Sequence, residues 1–152
     1  MATLEPGDQA PTFSLPDQAG STVRLEDFRG RVLLLYFYPK ADTPGCTTQS
    51  CAVRDASEDF AGLDTAVVGV SVSGAHDQDA FDKKFGLGFP LLSDPDHAVA
   101  DAWGAWGEKS LYRSSFLVDE QGRILEAWYK ISPKDTVPKA LKALAVRSRS
   151  TR

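Results

Sequence analysis

Val32-Leu33-Leu34-Leu35-Tyr36-Phe37-Tyr38, followed by Pro39-Lys40-Ala41-Asp42-Thr43-Pro44-Gly45-Cys46-Thr47-Thr48-Gln49-Ser50-Cys51, is the stretch on which the reading of this chain turns. Its first part is an unbroken β-branched, leucine and aromatic run closed by proline, the pattern of a fully buried strand. A short polar loop then leads into a helix start, with Thr43 as N-cap and Pro44 at the first helical position, where its missing N–H costs nothing. Cys46 falls in the first turn. Unpaired backbone N–H groups and the positive end of a helix dipole favour a thiolate over a thiol, and the thiolate is the nucleophilic form. A loop folded back to cap this helix also brings the Thr43 hydroxyl within reach of a small molecule approaching the sulfur, and an oxygen substrate suits that geometry. The segment reads as a redox active site.

Both cysteines of the chain lie in this segment. If they share one continuous helix, their five-residue offset separates them by about 7.5 Å along the axis and about 140° around it. A disulfide tolerates at most about 7 Å between Cα atoms. Either the two never pair, or the first turns of the helix unwind to let them.

Working outward, 152 residues suit one domain with a sizeable core. A net charge of −4 with no basic stripe beyond a short terminal one argues against nucleic acid as a partner. Two cysteines in a chain of this size are not a disulfide framework. Met1 to Asp8 holds neither a basic region nor an apolar run, so no signal peptide is expected. No stretch is long and apolar enough to span a membrane. The expected compartment is a reducing cytoplasm, where a free cysteine pair is more often catalytic than structural.

Along the chain, Thr12 to Leu15 and Thr22 to Leu25 flank a turn and make a hairpin, and Glu26 to Gly30 makes one helical turn. After the cysteine segment, one helix is expected from Thr43 to Ala61, stopped by Gly62. Thr65 to Val72 is a buried strand, and Asp77 to Phe85 an amphipathic helix broken by Gly86 and Gly88. A strand fragment at Phe89 to Leu92 precedes a brief helix ending near Trp103. Ser114 to Val118 and Arg123 to Tyr129 form a second hairpin, and Pro133 to Val146 the last helix. Residues 147–152 carry no apolar side chain and are expected to be a disordered tail. This order implies an α/β fold with a mixed central sheet, covered by helices on both faces and extended by an N-terminal β-hairpin.

Pro39-x-x-x-Thr43-x-x-Cys46 resembles the peroxiredoxin active-site motif. With Tyr36-Phe37-Tyr38 before it, Cys51 after it, and Phe89-Pro90-Leu91-Leu92-Ser93-Asp94-Pro95 and Arg113-Ser114-Ser115-Phe116-Leu117-Val118-Asp119 further on, nearly the whole chain is similar to the peroxiredoxin Q branch, also called bacterioferritin comigratory protein. The resemblance implies a single thioredoxin-like domain over residues 1–146 and a thiol-dependent reductase of hydrogen peroxide and organic hydroperoxides. It makes Cys46 the peroxidatic residue, oxidised to a sulfenic acid, and Cys51 the resolving one, closing an intramolecular disulfide. Thr43 and Arg113 match positions that hold the peroxide and stabilise charge, and Pro39 one that shields the sulfenic acid. It also implies a thioredoxin or glutaredoxin-like reductant, and no metal, haem or flavin; with no dimer-forming extension in view, a monomer is expected. Two departures stand out. Gln49 occupies a place where the branch often has glutamate, and the connection from Trp106-Gly107-Glu108-Lys109 to Arg113 is shorter than usual.

Plainer roles compete. Cys51 could be a small helix hydrophobe, Thr43 only a cap, and Arg113 a surface residue at a strand start. No apolar pocket is expected around Cys46. His76 and His97 stand in polar loops and are expected to be solvated, and two cysteines without clustered histidines oppose a zinc site. Trp103 and Trp106 are core, rim or site-mouth residues. A thioredoxin-type disulfide oxidoreductase would need Cys-x-x-Cys, against the C-x₄-C found here. A binding module that had lost the chemistry has no use for Cys46 at a helix start. If the cysteines pair, one equivalent of peroxide followed by mass spectrometry yields a Cys46–Cys51 linkage; overoxidised Cys46 without that linkage contradicts a switch.

Overall fold

The computed structural model describes residues 3–107 and 110–150. Strands β1 (Ser14–Pro16) and β2 (Thr22–Arg24) pair antiparallel as a sheet of their own and lead into a 3-10 turn at Leu25–Phe28. The main sheet holds β3 (Val32–Phe37), β4 (Thr65–Ser71), β5 (Leu91–Ser93), β6 (Ser114–Val118) and β7 (Ile124–Trp128), in the order β5-β4-β3-β6-β7. β3, β4 and β5 run parallel, while β6 and β7 add an antiparallel half. The helices are α1 (Pro44–Asp55), α2 (Ser57–Gly62), α3 (Ala75–Phe85), α4 (Ala98–Ala102) and α5 (Thr136–Ser150). No described helix is long and apolar enough to cross a membrane.

β3 lies at the centre of the sheet with all six residues buried, as its continuous apolar run requires of a strand covered on both faces. Its alternation divides the core. Leu33, Leu35 and Phe37 pack with Val68, Phe116, Trp103 and Ala100 on the face closed by α4, the 3-10 turn and the N-terminal segment. Val32 and Leu34 meet Phe60 of α2 and Ala140 and Leu144 of α5 on the opposite face. Tyr36 and Tyr38, further along that face, meet Val53 of α1 and Phe81 of α3. The end of β3 thereby lays two tyrosines under the first turns of α1.

The long helix expected over residues 43–61 is two helices. Ala56 breaks it at φ −95°, ψ 7°, between Asp55 and Ser57, two residue types that favour turns over helix interiors. Gly86 ends α3 in the left-handed conformation, φ 59°, as a glycine stop should. The last helix differs at both ends from its expected span. It begins at Thr136, after a turn in which the Asp135 N–H bonds the Ser132 carbonyl and the Ser132 N–H bonds the Asp135 carboxylate. It then continues through Ser150, where a tail was expected, with Arg147 paired to Glu120 at 2.5 Å. Residues 151 and 152 lie outside the described residues.

Gly69 in β4 is the close-approach glycine of this core. A Cβ there would stand 3.0 Å from both Cζ and Oη of Tyr36 and 3.1 Å from Leu91 Cδ2, all fully buried. Gly69→Ala is expected to destabilise the protein by about 1–3 kcal/mol, the usual cost of overpacking. Chemical denaturation measures it; unchanged stability would mean that the tyrosine ring has room to retreat.

Candidate active site

Thr43 precedes α1 with extended dihedrals (φ −93°, ψ 157°), Pro44 opens the helix, and Cys46 is its third residue. The Thr43 carbonyl accepts the first helical bond, from Thr47 N–H at 2.8 Å. Its side chain does not cap the helix as expected. The Thr43 hydroxyl instead donates to the Lys40 carbonyl at 2.9 Å, which commits its proton and leaves its lone pairs as acceptors. The loop before it is held from the sheet and from α3: Ser73 accepts the Ala41 N–H at 3.0 Å, Ser71 donates to the Pro39 carbonyl at 3.4 Å, and Lys84 pairs with Asp42 at 3.0 Å.

Cys46 is fully buried, against the expectation that no apolar pocket surrounds it. The pocket comes from elsewhere in the chain: Tyr36 from β3 and Tyr38 just beyond it, Val53 from the next turns of α1, and Leu91 from β5 share its cluster. Neighbours along the sequence gave no sign of this, because the sheet supplies the walls. Burial pushes both tyrosine pKa values well above the ordinary phenol value, so the rings present neutral hydroxyls beside the sulfur.

The charge comes from Arg113. Its Nη2 lies 3.5 Å from Cys46 Sγ, and its Nη1 donates to Gln49 Oε1 at 2.6 Å. The short connection before it does not keep it away. Trp106 and Leu111 form an isolated bridge, the Gly107 N–H bonds the Ser110 carbonyl, Tyr112 N–H reaches the Ala105 carbonyl, and Arg113 stands at the head of β6. Ile131 N–H then bonds the Arg113 carbonyl at 2.9 Å. Gly45, which the sequence reading passed over, makes the approach possible: a Cβ on it would meet Arg113 Nη2 at 3.0 Å and Pro133 Cγ at 3.3 Å.

A buried polar set also escaped the sequence reading. Tyr36 and Ser115 are cross-strand partners on β3 and β6. The Tyr36 hydroxyl shares a 2.8 Å hydrogen bond with Ser50, and Ser115 shares one of 2.9 Å with Thr136, which in turn accepts from Gln49 Nε2 at 2.9 Å. One pair of facing sheet residues therefore anchors two successive residues of α1. Tyr38 donates to Gln78, which donates to the Leu92 carbonyl at 2.8 Å. Chain distance hides all of these bonds, since Gln49 and Thr136 are 87 residues apart.

Cys51 lies in the same unbroken helix as Cys46, half-buried at the edge of the same cluster, and both are free thiols. Their five-residue offset therefore applies as expected, and pairing them requires α1 to unwind. Three of the residues between them, Thr47, Thr48 and Ser50, are modest helix formers. Thr48 bonds back to the Pro44 carbonyl at 3.0 Å, a habit that weakens helices. The histidines stand apart from the sulfur. His76 is exposed, whereas His97, expected to be solvated, stacks on Trp106 with ring centroids 3.9 Å apart. Trp103 is a core residue, and Trp106 lines a cavity of about 380 Å³ with Tyr112, Tyr129 and Lys130.

The description AhpC/TSA family matches residues 6–127. Peroxiredoxin Bcp of Bacillus subtilis is 41% identical over 150 residues, covering 93% of this chain and 96% of its own length. Peroxiredoxin Bcp of Escherichia coli is 46% identical over 132 residues, covering 82% and 85%. Among solved structures, Peroxidoxin BcpB of Mycobacterium tuberculosis superposes with a TM-score of 0.88 at 33% identity, over 94% of this chain and 97% of that one. Xanthomonas campestris Peroxiredoxin Q gives 0.85 at 32% identity, over 88% and 90%. A thiol buried beside a guanidinium at the head of a helix, on a five-stranded mixed sheet shared with these proteins, thus has a settled kinship: the chain belongs to the AhpC/TSA family, in the peroxiredoxin branch of Bcp and peroxiredoxin Q, and is a thiol-dependent peroxidase.

Proposed function

We propose that Cys46 is the peroxidatic residue of this enzyme and Cys51 its resolving partner, with Arg113, Thr43 and Pro39 completing the site. The observation that carries this reading is the 3.5 Å contact between Arg113 Nη2 and the sulfur of Cys46 at the start of α1. The Cys46 thiolate attacks one peroxide oxygen. The S–O bond forms as the O–O bond breaks, sulfur is oxidised to the sulfenic acid, and the other peroxide oxygen leaves as hydroxide or alkoxide, to be protonated by buffer once it reaches solvent. Arg113 is a permanent cation beside both the thiolate and the oxygen on which charge develops, in a site out of water where such an interaction is strong. Thr43, with its own proton committed to Lys40, is suited to accept a hydrogen bond from the peroxide O–H. Pro39, half-buried at the end of β3, shields the sulfenic acid.

Resolution follows once α1 opens between residues 46 and 51. The Cys51 sulfur attacks that of Cys46, the S–O bond breaks, and the hydroxyl leaves as water with the thiol proton. A dithiol reductant of thioredoxin or glutaredoxin type then reduces the disulfide and returns both thiols. Opening gives up the bonds of Gln49 to Arg113 and Thr136 and that of Ser50 to Tyr36, together of order a few kcal/mol. That latch keeps Cys46 in place until it has reacted.

Peroxide consumption in the presence of thioredoxin and its reductase is expected to vanish in Cys46→Ser. Insulin reduction without peroxide turnover would instead make the chain a disulfide oxidoreductase. In stopped-flow oxidation, Arg113→Ala is expected to slow the first step by about 10²-fold or more, the usual loss for a charge-stabilising donor. Gly45→Ala replaces no catalytic side chain but displaces the Arg113 guanidinium, and is expected to slow the same step by about tenfold to a hundredfold. Wild-type rates in both would remove Arg113 from the reaction.

A further inference from the structure

We infer that Thr136, at the start of α5, is a positioning residue that acts on Cys46 through Gln49 and Arg113; this rests on Cys46 being the reactive thiol. The reasoning begins with the amide of Gln49. A guanidinium has only donors, so Arg113 Nη1 at 2.6 Å requires the amide oxygen and would be repelled by the amide nitrogen. The NH₂ end must then point the other way, inside the protein, because Gln49 is fully buried. An unpaired buried donor there would be costly, and Thr136 Oγ1, also fully buried, accepts from it at 2.9 Å. Ser115 holds that oxygen from the other side at 2.9 Å, and Ser115 is two residues along from Arg113 on the same strand segment. The four residues form a ring, Arg113 to Gln49 to Thr136 to Ser115 and back along the backbone, linking α1, α5 and β6.

Thr136 thereby decides which end of the amide faces Arg113. Among the described residues Arg113 makes no ion pair, so a neutral amide oxygen holds it while its full charge stays turned to Cys46. A carboxylate at position 49 would face Thr136 with an acceptor and would need the hydroxyl to donate. The glutamine of this chain and the threonine that receives its N–H are matched to each other. Without the Thr136 oxygen the amide loses its reason to keep its orientation, and the guanidinium loses its fixed partner. Neither change touches the sulfur directly.

The test reads the thiol alone, in a Cys51→Ser background where Cys46 is the single cysteine, by its rate of reaction with methyl methanethiosulfonate. Thr136→Val, of equal shape and without an acceptor, is expected to slow the reaction about tenfold, the loss of one hydrogen bond to a charged group's partner. Thr136→Ser restores the parent rate, which a packing role would not require. With Gln49→Ala already present, Thr136→Val is expected to add less than about twofold, because the two act in series. Thr136→Ala adds no volume and reads the same loss should the valine variant not fold. A parent rate in Thr136→Val or Thr136→Ala, failure of serine to rescue, or a full loss on top of Gln49→Ala overturns the inference. The reagent involves no peroxide, so an error in the assignment of the peroxidatic residue shows separately, as peroxide turnover that survives Cys46→Ser.

Discussion

A guanidinium nitrogen 3.5 Å from a sulfur that is wholly out of water is the interaction on which this structure turns. A thiol buried among apolar side chains is ordinarily inert, since burial opposes its charged form. Here the first turn of α1 and the permanent charge of Arg113 stand against the sulfur, while Tyr36 and Tyr38, phenols whose pKa values burial pushes further up, add no competing negative charge. The fold exists to make that meeting possible. β3 ends under α1, β6 lies antiparallel beside β3, and Arg113 stands at the head of β6.

The same bonds that aim Arg113 also hold α1 shut. Gln49 and Ser50 lie between the two cysteines, and each is fastened to the sheet side of the site: Ser50 to Tyr36, and Gln49 to Arg113 and, through Thr136, to Ser115. Reactivity at Cys46 and access to Cys51 are therefore opposed. The proposed mechanism needs both and so makes α1 two-state, with Thr47, Thr48 and Ser50 as modest helix formers between the cysteines and the buried hydrogen bonds keeping the turn wound. Lengthening the helix-forming character of that segment would protect the first step and obstruct the second.

Much of this was legible in the residue pattern, and the reasons are local. The Val32 to Tyr38 run, the Thr43-Pro44 helix start, the Gly86 stop and the turn at Asp119 to Gly122 are all signals carried by near neighbours, and the structure has strands and helix ends where they stand. The offset of Cys46 and Cys51 within one helix was legible too, and with it the choice between no pairing and an unwound first turn. What stayed hidden depends on contacts distant in sequence. The burial of Cys46 comes from the sheet beneath it, the Thr43 hydroxyl found the Lys40 carbonyl instead of a helical N–H, and Thr136 meets Gln49 across 87 positions. Gly45 drew no reading from the sequence; only the position of Arg113 shows that a side chain there would crowd the guanidinium. The break at Ala56 and the continuation of α5 through Ser150 are boundary differences of the kind that local pattern resolves poorly.

Amide hydrogen exchange along α1 in the reduced and in the peroxide-oxidised protein tests the two-state account most directly. Reduced protein should protect the amides of residues 49–53, as an intact helix does. Oxidised protein should lose that protection across the cysteine segment while β3 and β6 keep theirs. Equal protection of α1 in both forms would contradict the account, since a disulfide between Cys46 and Cys51 cannot form across a helix that stays wound.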